Sequence, residues 1–182
     1  MKPKHAWPQT SGPYDNCGTP SYAVDAILDL LPKYRIWEPA PGEGLLATAL
    51  RNRGYYVVET FSDFFTTVLP EDVACIVTNP PYSIKYKWIS RCWEFTGIPF
   101  ALLLPVESLG VSAFWEACHN VPPNITIVLP RINFKMPDKG WGGSGAQFPT
   151  AWFSWGMGNG IRVVRQTKPQ RDLAMQEVLD KE

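Results

Sequence analysis

The chain carries no excess charge of either sign, no long hydrophobic run and no paired cysteines. Seventeen Lys and Arg balance seventeen Asp and Glu, so no global field draws the protein to nucleic acid or to an anionic membrane, and any nucleic-acid contact must be local. Apolar runs such as 98–106 fall far short of the roughly 18 residues a bilayer span requires, and residues 1–20 hold no apolar signal-peptide core. A soluble, unexported, cytoplasmic protein without a membrane partner is expected. Cys17, Cys75, Cys92 and Cys118 form no C-x-x-C pair, and His5 and His119 are the only histidines. Reduced core thiols are therefore expected rather than a metal site.

What is present is globular. Hydrophobic residues make up 45% of 182 residues and charged residues 19%, which excludes disordered, coiled-coil and collagen-like chains and leaves room for one domain with a full core. Aromatic residues are abundant, with eight Trp; most belong in a core, and a few can serve as faces on which a flat ligand stacks.

Residues 1–18, rich in Pro and Gly, read as an irregular arm. Thr19 suits a helix N-cap and Pro20 the first helical position, and Val24, Ile27, Leu28 and Leu31 recur at helical spacing until Pro32. A strand over 34–38, a glycine-bearing turn over 39–44, a helix over 45–53 ended by Gly54 and a strand over 55–59 compose a βαβ unit, whose sheet should be parallel. The alternation continues with a strand over 73–78, a helix over 85–95, a strand over 99–105, a helix over 112–119 and a strand over 125–129. A Gly-rich basic loop over 131–148 follows, with 140–145 read as mobile or as a plain hairpin connection. A late strand over 150–155 follows it, with 161–164 read as its hairpin partner, and 165–182 forms a tail, helical over 172–182. The expected architecture is a single α/β domain without repeats or a second domain.

Two motifs carry chemistry. Glu38-Pro39-Ala40-Pro41-Gly42-Glu43-Gly44 closes a strand, and its two glycines let the backbone turn tightly and approach a ligand at the strand–helix mouth. With no full G-x-G-x-x-G, a nucleoside-type cofactor is favoured over a dinucleotide; a turn serving only helix packing is the alternative. Glu59 ends the next strand, as a ribose-binding acid or as a solvated strand end. Asp63-Phe64 is either an adenine-contacting pair or an ordinary turn with a core Phe.

The second motif is Asn79-Pro80-Pro81-Tyr82. Two prolines fix φ and donate nothing, so they hold the Asn79 side chain and nearby carbonyls rigidly at the end of a buried strand. Two acceptors converging on one point suit a planar amino group, and Tyr82 offers a ring face for a base. The alternative is a rigid turn with a capping Asn.

Together these motifs resemble the small bacterial and phage DNA adenine-N6 methyltransferases, over most of the chain. The resemblance implies a Rossmann-like class I methyltransferase fold, a mostly parallel sheet of about seven strands with helices on both faces. It implies S-adenosylmethionine as methyl donor, held by Thr19, Pro20, Glu38, Pro39, Ala40, Gly42, Gly44, Glu59, Asp63, Phe64 and Asn79, with Asn79, Pro80, Pro81 and Tyr82 as the catalytic tetrapeptide. Tyr82, Lys85, Arg131 and Phe134 become candidate contacts to DNA, with Phe134 as either a second stacking face or simple packing. The cation groups Lys85, Lys87 and Arg91, then Arg131, Lys135 and Lys139, then Arg162, Arg165, Lys168 and Arg171 are either phosphate contacts or solvated faces.

The chain departs from the family in length. Only 100 residues follow Tyr82, so a separate target-recognition domain is not expected, and specificity would be weak, confined to short loops, or supplied by a partner or second copy. Cytosine N4, an RNA base and a protein glutamine are planar amino groups that the same tetrapeptide would serve. A catalytically silent module that binds the cofactor or DNA beside a partner is the alternative from another class.

Overall fold

The computed structural model describes residues 15–136, 140–141 and 148–172. Among the described residues the elements run α1 (Ser21–Asp25), β1 (Arg35–Glu38), α2 (Leu45–Asn52), β2 (Tyr56–Glu59), β3 (Val73–Thr78), α3 (Lys85–Glu94), β4 (Phe100–Pro105), α4 (Ser112–Ala117), β5 (Asn124–Leu129), β6 (Lys135–Met136), β7 (Gly140–Trp141), β8 (Thr150–Trp155) and β9 (Ile161–Arg165). Seven of the strands form one sheet in the order β2-β1-β3-β4-β8-β5-β9, and β6 and β7 form a separate hairpin. In the large sheet β8 alone runs against its neighbours β4 and β5; the other pairings are parallel.

Period-two alternation divides the strands between two apolar layers. Cys75 and Val77 of β3, Ala101 and Leu103 of β4 and Trp152 of β8 face the layer that holds α1 and α2. Ile76, Leu102, Leu104 and Phe153 face the opposite layer, with Trp88, Ile89 and Cys92 of α3 and Phe114 of α4. Both faces are therefore covered, which parallel strands require. Cys75, Cys92 and Cys118 are buried free thiols and Cys17 is a half-buried one. Among the described residues no helix is long and apolar enough to cross a membrane.

The structure corrects the sequence reading in three places. The first helix is only Ser21–Asp25, and its N-cap is Pro20, whose ψ of 150° is extended, rather than Thr19. The apolar run continues beyond it as tight turns, with Ile27 N–H on the Val24 carbonyl and Leu30 N–H on the Ile27 carbonyl, so Ile27 and Leu31 are still buried. The 161–164 segment does not form a hairpin with 150–155: β9 lies parallel to β5 at the sheet edge. Both edges of β8 are already taken by β4 and β5, and the loop after it is pinned across the start of β5, where Asn124 donates to the Met157 carbonyl and accepts from Gly160 N–H. The loop over 131–148 contains the β6–β7 hairpin, with Ile132 and Phe134 buried in the core.

Of the remaining expectations, residues 1–14 of the arm, most of the Gly-rich stretch 140–145 and all but the first residue of the 172–182 helix lie outside the described residues. Helix is already present at 168–172.

Candidate active site

Parallel strands bring their carboxyl ends to one edge, and the two motifs meet there because β1 and β3 are neighbours. After β1 the chain makes a turn closed by Gly44 N–H on the Pro41 carbonyl, with Gly42 at φ +53° and Gly44 at φ +79°. These left-handed angles suit glycine. A Cβ on Gly42 would meet nothing within 4 Å, whereas one on Gly44 would lie 3.5 Å from Glu59 Oε1. The turn is thus open on one side, with Glu59 beside it. The other Glu59 oxygen pairs with Arg51 at 2.6 Å.

Glu38 is 1% exposed. Its Oε1 accepts from Ala40 N–H at 2.8 Å and from the Thr78 hydroxyl at 2.5 Å, while Oε2 is buried without a hydrogen bond. Burial pushes this carboxyl up to about 8, against the opposing pull of those two donors and helped by the negative charge of Glu59. An acid held this way can give up its proton to pair with a cationic ligand.

Asn79 follows β3. Its Nδ2 donates to the Cys17 carbonyl at 3.3 Å, and its Oδ1 is buried without a hydrogen-bond partner. Tyr82, 7% exposed, opens a short 3₁₀ turn over Tyr82–Ile84 and has a buried, unpartnered hydroxyl. Burial raises that phenol well above its ordinary range, so it stays neutral. Phe148 meets the Tyr82 ring edge-on at 5.7 Å. Lys85 donates to the Tyr82 carbonyl at 3.2 Å and lies over the Tyr86 ring, so it braces the tetrapeptide.

Other candidates are placed elsewhere. Phe64 is fully buried and stacked on Trp88 at 4.0 Å, leaving its ring closed to a ligand, and Asp63 caps its own turn by accepting from Phe65 N–H. Phe134 is 2% exposed and packs in the α1–α2 layer, so it presents no face to a base. Arg131 is exposed at the start of its loop. Thr19 is buried beside Pro20. Two members of the last cation group are paired with acids: Arg162 forks onto Asp29, and Lys168 pairs with Asp172. Lys135 pairs with Glu43 of the glycine motif.

Four contributing residues carry no motif of their own in the sequence. Thr78 had a signal, a lone hydroxyl at the end of an apolar strand. Phe148 stands just before β8 with no motif to mark it, and the arm residues Asp15 and Cys17 lie in a stretch that has no periodicity.

The fold is that of the class I methyltransferases. A structure described as a putative class I S-adenosylmethionine-dependent methyltransferase from Listeria monocytogenes superposes with a TM-score of 0.55 at 11% identity, covering 95% of this chain and 73% of that one. Looser likenesses include a predicted O-methyltransferase from Agrobacterium tumefaciens (TM-score 0.45, 15% identity, 81% and 85% covered). A dimethyladenosine transferase from Plasmodium falciparum is another (TM-score 0.48, 14% identity, 76% and 62% covered). No family profile and no curated protein matches the sequence.

Proposed function

We propose that this chain transfers a methyl group from S-adenosylmethionine to the exocyclic N6 of adenine in DNA. The observation that carries the proposal is Asn79 Oδ1, a buried acceptor without a partner at the end of β3, next to the carbonyl of a proline. An unpaired buried acceptor costs roughly 1–3 kcal/mol, and a substrate amino group is the natural donor to relieve that cost.

The residues at the β1 end fit the methyl donor. The open turn at Gly42 gives a nucleoside room to approach, Glu59 stands beside Gly44 for ribose hydroxyls, and the unpaired Glu38 Oε2 suits a cationic ammonium. When bound, S-adenosylmethionine supplies an electrophilic methyl on a sulfonium. The amino nitrogen of adenine is a weak nucleophile because its lone pair is delocalised into the ring. Asn79 Oδ1 and the Pro80 carbonyl, accepting its two N–H groups, draw the nitrogen toward tetrahedral geometry and stabilise the charge that develops there. Pro80 and Pro81 keep both acceptors fixed, so little reorganisation is needed during transfer.

In a duplex the base must leave the stack. Tyr82 and Phe148 are the aromatic pair proposed to receive it, each stacking contact offsetting about 1–3 kcal/mol. Target recognition is proposed to come from short loops, or from a partner chain or second copy.

The test is incubation with donor carrying a labelled methyl, separately with unmethylated duplex DNA, single-stranded DNA, RNA and protein extract, and mass spectrometry of the product. N6-methyladenine in DNA is expected. Label on cytosine N4, on RNA or on glutamine would replace the substrate, and donor binding without transfer to any acceptor would indicate a silent module.

A further inference from the structure

A side-chain amide offers an acceptor on one side and a donor on the other, and a half-turn exchanges them. An amino substrate needs the acceptor; the opposite orientation would set N–H against N–H. Something on the far side of Asn79 must therefore hold its Nδ2. In this structure that group is the backbone carbonyl of Cys17, at 3.3 Å.

The carbonyl is itself fixed from both sides. Upstream, Asp15 accepts from Ser83 N–H at 2.9 Å and from the Ser83 hydroxyl at 2.5 Å, which ties the arm to the residue following the tetrapeptide. Downstream, Gly18 exchanges two backbone hydrogen bonds with Lys135, at 2.8 and 2.9 Å. The fit at Gly18 is tight, since a Cβ there would lie 2.6 Å from Leu45 Cδ1 and 3.1 Å from Lys135 Cβ, and both neighbours would have to give way. Leu45 begins α2 directly after the glycine turn.

We propose that the arm segment 15–18 is the positioning element of the catalytic amide: it spans from the tetrapeptide to the glycine turn, and the Cys17 carbonyl holds Asn79 with Oδ1 toward the substrate. The proposal rests on the methyl-transfer reading for its consequence, but the contact itself is testable without activity.

One arm of the test reads the amide directly. In ¹⁵N-labelled full-length protein the Asn79 side-chain resonance is identified by its loss in Asn79→Asp, and one of its protons should be shifted and slow to exchange. Gly18→Ala should weaken that protection, and adding Leu45→Ala, which removes the closer of the two contacts, should restore part of it. Asp15→Ala, which introduces no clash, should weaken the protection as well. An Asn79 amide that exchanges freely in the wild type, or is equally protected in all variants, overturns the proposal.

The other arm reads chemistry. In Asn79→Asp a carboxylate would set an oxygen against the Cys17 carbonyl, acceptor against acceptor, and only the protonated acid would donate to it. The ratio of variant to wild-type turnover at saturating donor should therefore rise at least tenfold from pH 8 to pH 5.5. A flat ratio overturns the positioning role. A protected amide that Gly18→Ala loosens, in a protein that methylates nothing, would uphold the contact and refute the proposed function, which keeps the two failures apart.

Discussion

The hydroxyl of Thr78, the last residue of β3, donates to Glu38 Oε1, at the end of β1, at 2.5 Å. This bond joins the strand that presents the tetrapeptide to the strand that presents the glycine turn, so the proposed donor site and acceptor site are braced against each other. Thr78→Val keeps the shape and removes the donor. Glu38 keeps its proton in the free protein and gives it up against a cationic ligand, and the bond gains about 1 kcal/mol when its acceptor becomes charged, so affinity for S-adenosylmethionine, measured by calorimetry, should fall severalfold. Unchanged affinity would show that Glu38 does not need this donor to hold its ligand.

Glu38 also sets a pH dependence. Its carboxyl stands at about 8 in the folded protein against 4.5 for an ordinary glutamate, so the folded chain keeps a proton that the unfolded chain releases. The stabilising effect is full below pH 4.5 and is lost as pH rises through 8. Relative to Glu38→Gln, which does not titrate, the wild type should lose thermal stability between those limits. Parallel melting curves for the two proteins across that window would contradict the assignment.

The aromatic assignments separate in the same way. Phe148→Ala should raise KM for DNA about tenfold, from a stacking contact of about 1–3 kcal/mol, with donor affinity unchanged. Phe134→Leu should lower stability and leave KM alone. A KM effect at Phe134 with stability intact would return the base-stacking role to that ring.

Trp88 and Phe64 form a stacked pair beneath the sheet. Trp88→Ala should cost about 3–5 kcal/mol in denaturant unfolding, and Phe64→Leu should leave donor affinity within twofold. A large affinity loss in a folded Phe64→Leu protein would place that ring at the cofactor.

The parts legible in sequence are those where local chemistry and long-range structure agree. The apolar runs of β3, β4 and β8 and the glycine turn after Glu38 have signatures that survive in the fold, and Asn79 to Tyr82 stands where a buried strand must end. The missed parts depend on what lies opposite. Nothing in Ile161–Arg165 says that both edges of β8 are occupied, so its pairing with β5 is invisible in sequence. Phe134 looks like any loop aromatic until Ile132, two residues earlier, proves to be buried in the same layer. Glu59 and Asp63 are both acids near a strand end, yet only Glu59 stands beside Gly44.

The most direct measurement is single-turnover methyl transfer to adenine in unmethylated duplex DNA by the wild type and by Asn79→Ala, with donor affinity determined for both. N6-methyladenine should form with the wild type, and the variant should lose at least a hundredfold in rate, the scale seen when one preorganised group is removed, while binding the donor equally well. Equal rates in the two proteins, or loss of donor binding in a folded Asn79→Ala protein, would contradict the role of Oδ1 as the acceptor for the substrate amino group.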